Sequence, residues 1–256
     1  MNAMQDDKRT PRRGIYLLPN LLTTAGLFAG FYSIVASMHD RFEAAAIAIF
    51  IAIVMDGLDG RVARMTNTQS DFGAEYDSLS DMVCFGLAPA LVMYEWSLIH
   101  MINVGWAKLG WLAAFFYAAS AALRLARFNT QHDDDDRRYF KGLASPAAAA
   151  LLAGTIWVVD DIGYKGVDVV IPAFFLTLLA GGLMVSNVRY YSFKDIDFKH
   201  KVPFIAVLAV VLAFMLTSVD PPKVFLGVFL AYALSGPLLS LSMLRKKEKT
   251  AQPPPE

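Results

Sequence analysis

The sequence is short of charged residues and of cysteine, and both shortages limit what the protein can be. Only 18% of its 256 residues are charged and 56% are hydrophobic, with a mean hydropathy of +0.43. An average soluble domain has about 25% charged and about 45–50% apolar residues. The single cysteine, Cys84, excludes an intramolecular disulfide framework. This composition indicates a membrane protein rather than a soluble or disulfide-stabilised domain.

Long apolar runs are what the sequence has instead. A helix needs about 20 mostly apolar residues to cross the hydrocarbon core of a bilayer. Eight runs qualify, at residues 16–38, 43–64, 72–97, 104–126, 144–160, 167–187, 203–219 and 223–243. The fifth and seventh are short, and Pro221 and Pro222 separate the last two because proline cannot continue a helix. We therefore predict an all-α, polytopic integral membrane helix bundle of about eight transmembrane helices.

The basic residues indicate how this bundle is oriented. If the N-terminus is cytoplasmic, 19 of the 23 lysines and arginines fall on the cytoplasmic side of the eight spans. Cytoplasmic loops carry such an excess of lysine and arginine. We expect both termini in the cytoplasm, a basic cytoplasmic segment at residues 1–14, a transmembrane catalytic domain at 15–243, and a basic, disordered cytoplasmic tail at 244–256.

Four aspartates lie at the end of the second span and the start of the third. Asp56 and Asp59 are three residues apart and Asp77 and Asp81 four apart, so each pair shares one helix face. The short turn between the spans brings the two pairs to one membrane depth, where unpaired carboxylates would repel each other. Oxygen ligands of this kind suit Mg²⁺ or Mn²⁺. The pattern predicts a divalent-metal site; a polar helix end among lipid headgroups is the alternative.

The spacing of these aspartates belongs to a longer motif. It reads Asp56-x2-Asp59-Gly60-x2-Ala63-Arg64-x8-Gly73-x3-Asp77-x3-Asp81. It resembles the signature of the CDP-alcohol phosphotransferases, which implies that family's membrane fold, two divalent cations and a CDP-linked donor. By this resemblance the four aspartates ligate the metals, and Asp81 is also the general base. Gly60, Ala63 and Gly73 would make room for the cytidine nucleotide, with Arg64 beside it.

Three further stretches point to the acceptor. "LLPNLLT" at 17–23, "AALRLARFNT" at 121–130 and "GLASPAAAA" at 142–150 are similar to the membrane-embedded phosphatidylserine synthases of bacteria and archaea. This resemblance implies transfer of the phosphatidyl group from CDP-diacylglycerol to the hydroxyl of L-serine, giving phosphatidylserine and CMP. It also implies the cell (inner) membrane of a prokaryote, an active site on the cytoplasmic side, and contact with membrane lipid. We expect a homodimer and no nucleic-acid partner.

Four residues near the cytoplasmic ends of spans four and five are candidates for binding serine or a phosphate. A guanidinium can hold a carboxylate or a phosphate through two parallel hydrogen bonds, so Arg124 and Arg127 are candidates. Their alternative role is to anchor the helix among headgroup phosphates. Asn129 and Ser145 are candidates for the same pocket.

Two polar residues interrupt the apolar first span. Asn20 and Thr23 lie about one turn apart, and they can bind CDP-diacylglycerol or hydrogen-bond to their own helix backbone. We predict the first role for both.

Two other functions remain open at this level. The same chemistry could use glycerol 3-phosphate or inositol phosphate, although these phosphorylated acceptors would need a denser basic pocket. Acidic residues within membrane spans also mark ion pathways, so a cation transporter is a further alternative. Against it, no second acidic set continues the path across the bilayer.

Overall fold

A computed structural model describes residues 17–130, 139–191 and 204–251, and most of this chain is helical. The α-helices of these ranges are α1 (Leu17–Ser37), α2 (Phe42–Met65), α3 (Asp71–Asp81), α4 (Ala88–Trp96), α5 (Ala107–Thr130), α6 (Ser145–Asp161), α7 (Val170–Val185), α8 (Phe204–Val219) and α9 (Pro221–Ala251). A π-helical segment, Met82–Leu87, joins α3 to α4. Two 3₁₀ segments, Leu98–Val104 and Gly166–Val169, precede α5 and α7. The basic segment predicted at residues 1–14 lies outside the described residues.

The helices match the predicted spans in position. In the described ranges, five segments are long and apolar enough to cross a membrane: Leu17–Ser37, Asp71–Val104, Ala107–Thr130, Gly166–Val185 and Pro221–Ser240. Helices α6 and α8, which correspond to the two short predicted spans, have 17 and 16 residues. The fold is therefore an all-α, multi-pass membrane bundle, as predicted from the sequence. The total of eight spans stays a prediction.

Prolines lie at the start of α6 and of α9, and an aspartate caps the start of α9. Pro146 lies in the first turn of α6, where its missing N–H costs no intrahelical hydrogen bond. Pro221 and Pro222 begin α9 directly after α8. Between those helices the Oδ1 atom of Asp220 accepts a 3.2 Å hydrogen bond from the backbone N–H of Lys223. The prolines thus divide the last two spans, as the sequence indicates.

Helix α6 forms the centre of the bundle. Its run of four alanines, Ala147 to Ala150, is buried, and the helix packs against α2, α4, α7 and α9. Small side chains allow neighbouring helices to approach closely, so an alanine-rich helix suits this central position.

A short two-stranded ribbon joins the bundle at one end. Strands β1 (Tyr139–Lys141) and β2 (Arg189–Tyr191) pair antiparallel. The Tyr190 side chain is fully buried against α9, where its hydroxyl donates a 3.0 Å hydrogen bond to the carbonyl of Ala233. A Cβ atom at Gly236 would lie 2.4 Å from the Tyr190 ring, so glycine is required at this contact. The ribbon is thereby fixed to the last helix.

Helix α9 continues to Ala251, eight residues beyond residue 243, the predicted end of the transmembrane domain. The remaining residues of the predicted tail, 252–256, lie outside the described ranges.

Candidate active site

The four aspartates of the motif converge at one end of α2 and α3. One carboxylate oxygen from each of Asp56, Asp59 and Asp77 lies within 4.8 Å of the others. Asp81 borders the same small cavity as these three, and its side chain lies against that of Asp56. The structure thus brings together all four residues, which we call the carboxylate cluster.

The surroundings of the carboxylate cluster suit divalent cations. Asp59 is only 4% exposed, and the other three aspartates are partly buried. Within the described ranges none of the four forms an ion pair with lysine or arginine. Closely spaced carboxylates in a poorly hydrated site need their charge neutralised, and oxygen-only ligands match Mg²⁺ or Mn²⁺. The donor set therefore fits the metals that the motif implies.

The turn of π-helix after Asp81 is fixed to the bundle. The carbonyl of Phe85, within that segment, accepts a 3.1 Å hydrogen bond from the hydroxyl of Tyr117, a fully buried residue of α5. Single turns of π-helix inside longer helices occur frequently at functional sites. Here the segment begins directly after the last carboxylate of the cluster.

A cleft of about 480 Å³ opens beside the carboxylate cluster. It lies between α1, the end of α2 and the start of α3. Its lining is Pro19, Asn20, Thr23, Asp59, Gly60, Ala63, Arg64, Thr68, Gln69, Ser70, Gly73, Ala74, Asp77 and Phe128. All six residues predicted to bind the donor are in this lining, and two members of the carboxylate cluster, Asp59 and Asp77, form part of its wall.

The two motif glycines in the cleft have different surroundings. A Cβ atom at Gly60 would meet nothing within 4 Å, so its missing side chain enlarges the cleft without serving helix packing. A Cβ atom at Gly73 would lie 3.1 Å from the Ser70 hydroxyl and 3.5 Å from Oδ1 of Asn20. The Ser70 hydroxyl caps α3 by accepting a 3.1 Å hydrogen bond from the Gly73 N–H. Gly73 therefore also serves the start of its helix.

Arg64 and Thr23 are held by the protein in different ways. The Nε–H of Arg64 donates a 2.9 Å hydrogen bond to the carbonyl of Gly60, and the residue is exposed at the cleft. Thr23 is buried, and its hydroxyl lies 2.7 Å from Oδ2 of Asp59. Thr23 thus contacts the carboxylate cluster directly.

Of the four residues predicted to bind serine or a phosphate, Arg124 and Ser145 contact each other. The Nη1 atom of Arg124 donates a 2.8 Å hydrogen bond to the hydroxyl of Ser145, which has no exposed surface. Within the described chain, the buried Nε atom of Arg124 has no hydrogen-bond partner. The guanidinium is close enough to Asp81 for an electrostatic interaction. Arg124 is therefore held near Asp81 of the carboxylate cluster, and its Nε–H group is available to donate a hydrogen bond.

Arg127 and Asn129 make contacts elsewhere. The Nη2 atom of Arg127 donates a 2.8 Å hydrogen bond to Oδ1 of Asn187, which lies between α7 and β2. Asn129 donates a 3.0 Å hydrogen bond to the hydroxyl of Ser78, the residue after Asp77. In this structure both side chains tie the end of α5 to neighbouring elements.

Sequence reasoning missed several parts of the site. Thr68, Gln69 and Ser70 line the cleft from the turn between α2 and α3, and Phe128 lines it from α5. The helix-cap pattern of Ser70 was readable in the sequence, whereas the position of Phe128 depends on how α5 packs.

Comparison with known proteins shows which protein family the chain matches. The family model described as CDP-alcohol phosphatidyltransferase matches residues 16–236. A Helicobacter pylori protein (strain ATCC 700392 / 26695) named CDP-diacylglycerol–serine O-phosphatidyltransferase is 35% identical over 244 residues, covering 94% of this chain and all of the relative. A Methanocaldococcus jannaschii protein of the same name is 35% identical over 188 residues, covering 73% of this chain and 80% of the relative. An archaetidylserine synthase of Methanothermobacter thermautotrophicus is 30% identical over 190 residues, covering 73% and 74% of the two chains.

Proposed function

The chain belongs to the CDP-alcohol phosphatidyltransferase family, and we propose that it transfers the phosphatidyl group of CDP-diacylglycerol to L-serine. The products are phosphatidylserine and CMP. The observation that carries this proposal is the pairing of the carboxylate cluster with an adjacent cleft of about 480 Å³. The names of the similar proteins support serine as the acceptor.

The cleft would bind the cytidine nucleotide of the donor. The absent side chain of Gly60 leaves space there, and Asn20 and Arg64 offer polar groups at the wall. Ala63 and Gly73 are small residues and would leave further space along the wall of the cleft. The diphosphate would then lie where Asp59 and Asp77 line the cleft, next to the carboxylate cluster.

Asp56, Asp59, Asp77 and Asp81 would hold two divalent cations, Mg²⁺ or Mn²⁺. When bound, such a metal pair neutralises the diphosphate and stabilises the attacking and leaving oxygens. The protein's part is to hold the four carboxylates on two helices that face one small cavity.

Arg124 would bind the carboxylate of serine. The hydrogen bond from Nη1 to Ser145 fixes the guanidinium, and the buried Nε offers a further donor. A planar guanidinium recognises carboxylates through paired, charge-assisted hydrogen bonds. Because Ser145 has no exposed surface, we assign it to holding Arg124. Arg127 and Asn129, which donate hydrogen bonds to Asn187 and Ser78, would hold the end of α5 in place.

Asp81 would act as the general base. The serine hydroxyl is a weak nucleophile at neutral pH, so its proton must leave as the oxygen attacks. The hydroxyl oxygen bonds to the phosphorus that carries diacylglycerol, the bond from that phosphorus to the CMP oxygen breaks, and the proton passes to Asp81. Asp81 borders the same small cavity as the other three aspartates and interacts electrostatically with Arg124, which supports this role.

We place the active site at the cytoplasmic face of the inner membrane of a prokaryote, with both termini in the cytoplasm. The distribution of lysine and arginine supports this orientation. At a site on this interface, the acyl chains of the donor would lie in the hydrocarbon core, and its nucleotide and the serine would lie in water. A homodimer belongs to the same proposal and rests on the family resemblance.

The proposal is tested by reconstituting the purified protein in liposomes that contain CDP-diacylglycerol. Serine, glycerol 3-phosphate, inositol phosphate and no acceptor are compared, with Mg²⁺, with Mn²⁺ and with chelator. We expect metal-dependent release of CMP and a new lipid with serine alone. Equal or faster product formation with a phosphorylated acceptor would overturn serine as the substrate, and ion flux without CMP release would overturn the enzymatic function.

A further inference from the structure

We infer that Thr23 is a positioning residue that orients the metal ligand Asp59 and couples the two helices that carry the carboxylate cluster. The inference rests on the proposed metal site. It gives Thr23 a role different from the predicted contact with the donor.

The hydroxyl of Thr23 has two acceptors within reach. One is Oδ2 of Asp59 at 2.7 Å, and the other is the carbonyl of Pro19, one turn earlier in α1, at 3.1 Å. A hydroxyl has only one proton to donate. Hydrogen bonds to a carboxylate are shorter and stronger than those to a neutral carbonyl, so the shorter contact to Asp59 takes the proton. The bond leaves the other carboxylate oxygen of Asp59 for a metal.

The burial of this pair makes the bond decisive for the orientation of Asp59. Thr23 is 5% exposed and Asp59 is 4% exposed. Loss of the Thr23 hydroxyl would leave Oδ2 of Asp59 without this hydrogen bond, and the carboxylate could then turn. Partners outside the ligand shell that orient a metal ligand are needed for full metal affinity.

The backbone of the same residue contacts the other half of the carboxylate cluster. The carbonyl of Thr23 accepts a 3.3 Å hydrogen bond from the hydroxyl of Ser80, which lies on α3 between Asp77 and Asp81. One turn further along α1, the carbonyl of Gly26 accepts a hydrogen bond from Cys84 at 3.2 Å. Helix α1 is therefore joined to α3 before Asp81 and to the π-helical segment after it.

Helix α1 is the element through which α2 and α3 are held together. It packs extensively along α2 and also contacts α3 and the π-helical segment, whereas α2 and α3 have little direct contact with each other. At Gly30 a Cβ atom would lie 2.8 Å from the sulfur of Cys84, so α1 approaches the π-helical segment as closely as a glycine allows. Thr23 is the α1 residue that binds both carboxylate-bearing helices, through its side chain and its carbonyl.

The test is Mn²⁺ binding to the purified protein without lipid donor, measured from the electron paramagnetic resonance signal of free Mn²⁺. Thr23→Val removes the hydroxyl at nearly constant volume, and Thr23→Ser keeps it. We expect Thr23→Val to weaken Mn²⁺ binding about 10- to 100-fold, the range for lost outer-shell partners of metal ligands. Thr23→Ser should bind Mn²⁺ like the wild-type protein.

Two controls separate positioning from general damage to α1. Thr24→Val removes a hydroxyl that, like that of Thr23, lies within hydrogen-bond distance of the carbonyl four residues earlier, here 2.6 Å from that of Asn20. The Thr24 hydroxyl does not contact an aspartate. Ser33→Ala removes a buried 2.8 Å bond from α1 to the carbonyl of Ala45 in α2, far from the carboxylate cluster. Both should lower thermal stability without changing Mn²⁺ affinity.

The outcomes distinguish this inference from the proposed function. If wild-type protein binds Mn²⁺ and Thr23→Val binds it equally well, the positioning role is wrong while the metal site stands. If Ser33→Ala weakens Mn²⁺ binding as much as Thr23→Val, the effect is one of packing and the inference is again wrong. Failure of the wild-type protein to bind Mn²⁺ would instead refute the metal site itself.

Discussion

The guanidinium of Arg124 donates a 2.8 Å hydrogen bond to the hydroxyl of Ser145, and this pair joins α5 to the buried start of α6. Ser145 has no exposed surface, so it cannot reach a ligand except through Arg124. If Arg124 binds serine, as we propose, both residues determine acceptor binding, although only Arg124 would touch serine.

Arg124→Lys and Ser145→Ala should each raise the KM for serine while the KM for CDP-diacylglycerol changes little. Lysine keeps the charge but loses the planar fork, and alanine removes the group that fixes it. Loss of a charge-assisted contact costs about 1.5–3 kcal/mol, roughly 10- to 150-fold in affinity for the arginine change. The measurement is initial rate against serine concentration at saturating donor.

Arg61→Lys is the control for the arginine change, since Arg61 is exposed on α2 and lines neither the cleft nor the carboxylate cavity. An unchanged KM for serine in both Arg124→Lys and Ser145→Ala would leave Arg124 as a membrane anchor.

A second prediction concerns Gly60, whose missing side chain borders open space in the cleft. Alanine in place of glycine within a helix gains about 0.8–1.0 kcal/mol, so Gly60→Ala should not lower the melting temperature. If the nucleotide fills that space, the added methyl group should weaken donor binding by about 1–3 kcal/mol, roughly 5- to 150-fold. Thermal melting and the KM for CDP-diacylglycerol measure the two effects.

Gly57→Ala is the matched control for this prediction. Gly57 lies one turn earlier on α2, and a Cβ atom there would also meet nothing within 4 Å, but the residue does not line the cleft. It should gain the same helix stability with an unchanged KM. A KM for donor that is the same in both variants would place the nucleotide elsewhere.

The contrast between these two glycines shows how far the sequence could predict the site. The spacing of the aspartates predicts which helix faces they share, because helical periodicity is local. The same periodicity places Gly57 and Gly60 three residues apart on one side of α2, yet only Gly60 lines the cleft. Which glycine meets a ligand depends on where α1 and α3 pack, and that is a tertiary property.

Thr23 and Thr24 on α1 show the same limit of prediction from the sequence. The sequence offers two adjacent threonines in an apolar span, and their residue type does not distinguish them. In the structure Thr23 is buried on Asp59, whereas Thr24 is exposed and contacts the hydroxyl of Tyr76 at 2.9 Å. The positions of the helices follow from apolar run length, but side-chain partners between helices follow from rotation about each helix axis.

A third prediction tests metal ligation. Asp56→Asn, Asp59→Asn and Asp77→Asn should each lower turnover by more than about 100-fold, because even outer-shell changes cost about 10- to 100-fold. Each change removes a negative charge at nearly constant size, so the proteins should still insert into membranes. Addition of chelator to wild-type protein should have the same effect, and added Mg²⁺ or Mn²⁺ should reverse it.

Asp71→Asn is the control for these variants, since Asp71 is an exposed residue of the first turn of α3 and lies outside the carboxylate cavity. It should retain wild-type turnover. Near wild-type activity in two of the three ligand variants at saturating metal would show that the carboxylate cluster does not hold a catalytic metal pair.

The last prediction separates Asp81 from the other three aspartates. If Asp81 is the general base, Asp81→Asn should slow the chemical step about 10²–10⁴-fold, the usual contribution of such a base. Donor binding should persist, because one oxygen each of Asp56, Asp59 and Asp77 lies within 4.8 Å of the others and these three can still hold metal. Loss of rate with retained donor affinity marks a group that acts in the transition state, whereas a ligand variant such as Asp77→Asn should lose both.

Single-turnover release of CMP and equilibrium binding of CDP-diacylglycerol, measured on the same two variants, give the comparison. If Asp81→Asn releases CMP within a few-fold of the wild-type rate, Asp81 is not the general base, and the proton of serine passes to Asp77 or to solvent.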